Sequence, residues 1–347
     1  MRPEFSATPK LSPGDRVAVV SPSYAAPADF PALHEQAMRR LREDFGLEPV
    51  EYPTTRQHAP AEARAADLMA AYADSSIRAV LASVGGDDQI TVLRHLDPKP
   101  FVADPKPYFG YSDNTNLLNW LWTHGVAGYH GMSTMVHLAR GGGLQPATVE
   151  SLRAALFTGG DLEIRPVDEF SDEEVPWSDP ASLTRSATPY ASPGRVWHQA
   201  DRVVTAPTWG GNLEILSWTL AANRWVRPVE DYAGCVLLLE TSEETPPDEE
   251  VFRMLRNFGE RGLLEQFPAI LVGTAKGTVF TDPKPVAQRV AYREAQQAAV
   301  LRAVQTYHPE AMIVFGVDFG HTDPQWVLPY GGQMTIDGPS RRITAHY

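Results

Sequence analysis

A serine stands where an apolar strand gives way to a helix in the segment Tyr108-Phe109-Gly110-Tyr111-Ser112-Asp113-Asn114. A hydroxyl on that turn lies close to the free N–H groups of a helix N-terminus, which stabilise a negative oxygen. The arrangement has the form of a nucleophile elbow, although Asn114 replaces the usual second glycine. Ser and Asp are also favoured helix caps, so the segment taken alone fits a plain N-cap too. In Ser83-Val84-Gly85-Gly86-Asp87-Asp88, two glycines follow a strand, where the chain turns sharply and exposes backbone N–H groups. Those groups suit an oxyanion. An ordinary Asp-capped turn fits as well, and the two aspartates repel phosphate. Further on, His321 lies between Gly320 and Thr322, just past an apolar strand. An unperturbed pKa of about 6.5 suits histidine to general-base work. In isolation a surface-turn histidine reads the same way. Glu240 closes the apolar run Leu237-Leu238-Leu239, and a carboxylate there can orient an imidazole. Glu243 and Glu244 read as a solvated acidic turn.

These segments need elements to hold them. Apolar runs at 16–21, 47–52, 77–84 and 106–111 predict strands. Helical spacing at 31–44, 60–74, 90–96 and 114–124 predicts helices between and after them. That order implies an α/β fold, a Rossmann- or flavodoxin-like parallel sheet with helices on both faces. The second half offers strands at 234–240, 269–273 and 312–317 and helices through 220, at 248–261 and at about 286–307, again mixed α/β. The proline-rich stretch between them carries Asp172-Glu173-Glu174, Trp177, Tyr190 and Trp197. It reads as a linker followed by a surface loop, of a length often used for lids. The expected division is an N-terminal domain at 1–160 with the serine, a linker and substrate loop at 161–199, and a C-terminal domain at 200–347 with Glu240 and His321.

The 347 residues hold 30 Lys plus Arg against 43 Asp plus Glu, a net charge of −13. Such a chain is a poor partner for nucleic acid or an anionic membrane. The single cysteine, Cys235, excludes an internal disulfide framework and reads as a buried small hydrophobe. No apolar run approaches the ~20 residues of a membrane span, and the first ten residues hold no apolar signal core. A cytoplasmic setting is the expectation. No two histidines have the spacing of a helical zinc motif, and neither a P-loop nor a full dinucleotide fingerprint occurs. No metal and no cofactor is expected.

In order along nearly the whole chain, LSPGDRVAVVSP at 11–22, the turns at 84–88 and 110–114, GGNL at 210–213, the strand end at 238–240 and FGHTDP at 319–324 resemble one family. It is the LD-carboxypeptidase family of serine peptidases, with its sister group, the microcin C immunity hydrolases. The resemblance implies a C-terminal domain of swivelling-barrel type, a homodimer and a Ser–Glu–His triad. Ser112 would be nucleophile, His321 general base and Glu240 the orienting carboxylate. The backbone N–H groups of Gly86 and Asp113 would form the oxyanion hole. Typical LD-carboxypeptidases carry Arg-Gly-Gly-Tyr-Gly at the glycine turn. Val84-Gly85-Gly86-Asp87-Asp88 is nearer the immunity branch, where an aromatic loop accompanies a nucleotide-like group.

On that likeness Trp177 or Trp209 would stack on a base, and Lys276 would meet a substrate carboxylate or phosphate. Tryptophans that merely pin the loop to the core are the simpler alternative. The expected substrate is a small peptide or peptidyl-nucleotide, cleaved at the amide joining an aminoacyl group to a nucleotide-like moiety. A murein tetrapeptide losing its terminal D-alanine is the alternative, and a catalytically silent ligand-binding homologue is a third reading. Asp87, Asp88, Asp113, Glu240, Glu243 and Glu244 are expected in or beside the cleft, favouring a substrate with an amine.

Overall fold

The β-branched run at the start of the chain forms β1 (Arg16–Val20), with four of its five residues buried. Alternate side chains point to opposite faces of a strand, and both faces are covered here. Val17 and Val19 pack with Leu33, Met38 and Leu41 of the helix Pro31–Glu43. Ala18 and Val20 pack with Leu68 and Tyr72 of Ala61–Ala73 and with Leu117 and Leu121 of Thr115–Thr123. This computed structural model describes residues 3–6 and 8–347. β1 lies parallel to both β2 (Glu48–Glu51) and β3 (Ile77–Ala82). β4 (Tyr108–Gly110) and β5 (Gly128–His130) continue the parallel sheet outward from β3.

The next strands in the chain are β6 (Asp161–Glu163), β7 (Glu169–Phe170), β8 (Tyr190–Ala191) and β9 (Val196–His198). They precede β10 (Val203–Asn212), β11 (Val236–Glu240), β12 (Ala269–Gly273) and β13 (Met312–Val317). The C-terminal strands are β14 (Leu328–Tyr330), β15 (Gln333–Asp337) and β16 (Arg342–His346). The second sheet runs β6-β16-β15-β10-β11-β12-β13-β9, with four parallel strands, β10 to β13, at its centre. Antiparallel strands flank that centre on both sides. The helices Asp248–Glu260 and Val286–Tyr307 pack against each other and contribute Leu255, Phe258, Val300 and Val304 to the core around Leu237 and Ile270. Two mixed α/β units therefore form, as the periodicity implies.

The departures have physical causes. β10 escapes the sequence reading because Pro207, Gly210 and Gly211 interrupt its apolar pattern. The glycines are required: a Cβ on Gly210 would lie 2.0 Å from the Leu238 carbonyl oxygen. The stretch 161–199 is less of a linker than its prolines suggest, because β6 and β9 add edge strands to the second sheet at its two ends. Its acidic run is anchored as well. Asp172 is buried between Arg289 and Arg293, at 2.9 and 2.8 Å, and Glu173 meets Arg289 at 2.7 Å.

The two sheets are also laced together. β14 leaves the second half of the chain to pair antiparallel with β5 on the edge of the first sheet. Gln325, fully buried, accepts from the Met132 N–H at 2.6 Å and donates to the Gly320 carbonyl at 2.6 Å. One amide thus ties the loop after β5 to the loop after β13. Truncating it strands a buried donor and a buried acceptor, at about 1–3 kcal/mol for each. Gln325→Ala is expected to lower the urea unfolding midpoint accordingly, and an unchanged midpoint would show that the brace carries no load.

Candidate active site

Strand β4 ends at Gly110, one 3₁₀ turn covers Ser112–Asn114, and the helix Thr115–Thr123 follows. Ser112 sits in that turn at φ 60°, a left-handed conformation that costs a non-glycine residue about 1–3 kcal/mol. Asn114 explains how the turn holds without a second glycine. Its amide donates to the Tyr111 carbonyl at 3.1 Å and the Val84 carbonyl at 3.2 Å, and its oxygen accepts from Gln89 at 2.8 Å. A Cβ on Gly110 would lie 2.7 Å from the Asn114 Cβ, so this knot needs the glycine beneath it.

The glycine turn after β3 lies directly against the serine. A Cβ on Gly85 would come 2.9 Å from Ser112 Cβ and 3.3 Å from the Asp113 nitrogen. Gly85 therefore packs on the Ser112 turn, and Gly86 lines the same cleft as Ser112. The Asp113 side chain points away into the core, where it accepts from Ser23, the Gln89 N–H at 2.9 Å and Asn116 at 2.8 Å. Burial raises its pKa above the ordinary carboxylate value against those three hydrogen bonds.

The second sheet brings the other two groups. Glu240 is the last residue of β11, and His321 follows β13 by four residues. Glu240 Oε2 accepts from His321 Nδ1 at 2.5 Å, with both side chains buried. The loop reaches the carboxylate because Gly320 has φ 94° and no side chain; a Cβ there would lie 2.7 Å from Glu240 Cβ. Burial opposes the charge on both partners, but their mutual attraction prevails: Glu240 falls to about 2 and His321 rises to about 10. Part of the rise in His321 comes from Glu243, whose Oε2 lies 3.0 Å from Nε2. Among the described residues, no hydrogen bond joins His321 to Ser112.

Ser112 and His321 line one cleft of about 170 Å³ with Gly86, Trp177, Glu243 and Lys276. Trp177 is half-buried, its ring edge-on to Phe30 at 5.4 Å, so it both pins the loop and faces the cleft. Lys276 is buried with its Nζ 3.0 Å from Glu174. Trp209 does not belong here. It is 2% exposed, stacked on Phe267 at 5.8 Å, and its indole N–H donates to Asn119 at 3.0 Å. Its place on central strand β10 makes it a core residue, and no base can stack on it.

The acidic lining also differs from expectation. Asp88 is taken by a bidentate contact with Arg64 at 2.7 Å, and Asp113 is in the core. Glu240 lies behind His321, and Asp87 and Glu244 are exposed and outside the cleft lining, which leaves Glu243 as the expected carboxylate on the cleft wall. Glu173, Glu174 and Asp323 join it there, and none of them was anticipated as lining. Sequence reading also missed His130. It is fully buried, its Nε2 is 3.8 Å from Glu240 Oε1, and neither ring nitrogen has a hydrogen-bond partner among the described residues. Its position at the end of β5, next to β4, was the available signal.

Comparison with known proteins follows the same two units. Residues 17–131 match the LD-carboxypeptidase N-terminal domain and residues 205–336 the LD-carboxypeptidase C-terminal domain. The Escherichia coli microcin C7 self-immunity protein MccF is 25% identical over 77% of this chain and 73% of its own length. A Bacillus subtilis protein named for murein-peptide carboxypeptidase activity is 25% identical over 94% of this chain and 90% of its own. The solved structure of MccF without ligand superposes with a TM-score of 0.83 at 21% identity, covering 98% of each chain. MccF has also been solved with aspartyl sulfamoyl adenosine, with a TM-score of 0.81 at 20% identity, covering 100% of this chain and 98% of that one. With both halves matched in order, the chain belongs to the LD-carboxypeptidase family of serine peptidases, and it is a hydrolase of that type.

Proposed function

We propose that this protein is a serine amidohydrolase that uses Ser112, His321 and Glu240, and that it cleaves the amide between an aminoacyl group and a nucleotide-like moiety. The observation that carries the reading is the shared cleft. A serine on a left-handed strand-to-helix turn shares that cleft with a histidine whose Nδ1 is held at 2.5 Å by a buried carboxylate. A serine hydroxyl is a weak nucleophile until a base within reach takes its proton. In the proposed reaction His321 Nε2 accepts the proton of Ser112 Oγ as that oxygen attacks the carbonyl carbon. Glu240 keeps Nδ1 protonated and stabilises the imidazolium that forms. The N–H groups of Gly86 and Asp113 receive the oxyanion, each worth about 2.7–4 kcal/mol where such donors have been removed. The imidazolium then protonates the leaving nitrogen, and water activated by the same ring releases the acyl group from Ser112.

The choice of leaving group rests on Trp177, which borders the cleft, and on the relationship to MccF. Removal of D-alanine from a murein tetrapeptide is the second reading, supported by the murein-peptide relative. Assays with aspartyl sulfamoyl adenosine and an L,D-tetrapeptide separate the two, and turnover of the tetrapeptide alone would refute the first.

Ser112→Ala and His321→Ala are expected to lower kcat by about 10⁶-fold, and Glu240→Gln by about 10⁴-fold, with the fold retained. Full activity in any one of these variants would sink the assignment. Trp177→Ala is expected to cut kcat/KM for the nucleotide substrate by about 10–100-fold, the worth of one aromatic stack, and to spare the tetrapeptide. Equal losses on both substrates would reduce Trp177 to a loop anchor. The pair also has a stability signature. The folded pKa of His321 is raised to about 10, so its contribution is complete below about 6.5 and disappears as pH rises through about 10. The unfolding free energy of wild type relative to His321→Gln should therefore fall across that window. A difference constant with pH would contradict it.

A further inference from the structure

The working nitrogen of His321 is occupied. Nε2, the atom that must take the serine proton, lies 3.0 Å from Glu243 Oε2, while Nδ1 is held by Glu240. A ring flanked by a carboxylate at each nitrogen is held as a cation, with a proton on both nitrogens and no lone pair for Ser112. One of the two carboxylates must leave before the ring can act as base. Glu240 cannot: its side chain is 1% exposed and closes a central strand. Glu243 can, since its side chain is 54% exposed and stands on the loop past the strand.

Among the described residues lining the cleft, the other three acids each have a cation: Glu174 meets Lys276 at 3.0 Å, Glu173 meets Arg289 at 2.7 Å and Asp323 meets Arg140 at 2.6 Å. Glu243 is paired with the His321 ring, so once released from it this carboxylate is left without a counter-ion. His137 lines the cleft too, but burial drives its pKa down to about 4, so it brings no charge at neutral pH. The missing cation therefore has to arrive with the substrate. An α-ammonium is two bonds from the scissile carbonyl carbon, which must itself lie between Ser112 and His321.

We propose that Glu243 is the receptor for a free α-ammonium on the acyl side of the scissile bond, and that binding this group releases His321 to act as base. The proposal rests on the amidohydrolase reading above. When the ammonium pairs with Glu243, His321 loses one of its two carboxylates, Nε2 gives its proton to solvent, and the freed lone pair faces Ser112. The other groups around the ring are Glu240, the Tyr111 ring at 5.0 Å and His137, and Lys276 acts on Glu243 from across the cleft. An acyl group whose α-nitrogen already sits in a peptide bond carries no charge there and leaves Glu243 on the base. The contact is thus a specificity filter: it selects aminoacyl conjugates with a free α-amine over N-acylated peptides.

The test compares aspartyl sulfamoyl adenosine with its N-acetyl derivative, in wild type, Glu243→Gln and Glu243→Asp, alongside labelling of Ser112 by a fluorophosphonate. Wild type is expected to favour the free amine by about 10–100-fold in kcat/KM, the worth of one charged hydrogen bond. Glu243→Gln should bring that ratio close to one and label Ser112 faster at pH about 7, because its base is no longer held as a cation. Glu243→Asp should restore part of the ratio. An active enzyme whose ratio is unchanged in Glu243→Gln, or whose labelling slows, overturns the role of Glu243 and leaves the amidohydrolase reading standing. Wild type that hydrolyses neither compound and is not labelled at Ser112 overturns both, as does turnover of the tetrapeptide alone.

Discussion

The ion pair between Glu240 and His321 is the constraint around which the rest is arranged. Burying a carboxylate and an imidazolium is costly unless their geometry is close and their remaining atoms are placed. The pair meets the first condition at 2.5 Å, with Glu240 held rigid at the end of a strand in mid-sheet. The glycines around it follow from that. Gly273 and Gly320 both back onto the Glu240 Cβ, at distances where any side chain would push the carboxylate away from the ring. His130, beside the other carboxylate oxygen, completes a buried polar cluster that spans both sheets.

Ser112 comes from the opposite sheet, so its position relative to His321 depends on how firmly the two sheets are held. β14 crosses to the first sheet, and Gln325 bridges the loop after β5 to the loop after β13 that carries His321. Ser171 and Asp323 exchange two backbone hydrogen bonds at 2.7 and 2.9 Å, which bring the acidic loop to the cleft. Its buried Asp172 is matched by two arginines of the long helix, so Trp177 and Glu174 are presented by an anchored loop. The cleft is thus assembled from both sheets and from the loop between them.

Much of the fold was legible because its signals are local. Buried parallel strands such as Arg16–Val20 and Met312–Val317 are short apolar runs closed by breakers, and the long helices carry spaced apolar faces. β10 was hidden because its glycines answer to a neighbouring strand rather than to its own pattern, and β14 because a three-residue edge strand has no period to read. The site was legible in a similar way. Ser112, Glu240 and His321 each stand at an element end, where chemistry-bearing side chains can be aimed, and their segments resemble a known family in order.

By itself the sequence determined the central strands and long helices, the family and the identity of the candidate nucleophile, base and carboxylate, because each is written in a few consecutive residues. The tertiary structure alone decided which of the remaining polar and aromatic groups reach the cleft. It sent Trp209 and Asp113 into the core, gave Asp88 to Arg64, brought Glu173, Glu174 and Asp323 to the wall, and set Glu243 on the base. Those placements depend on contacts between residues tens to hundreds of positions apart, and no local pattern carries that information.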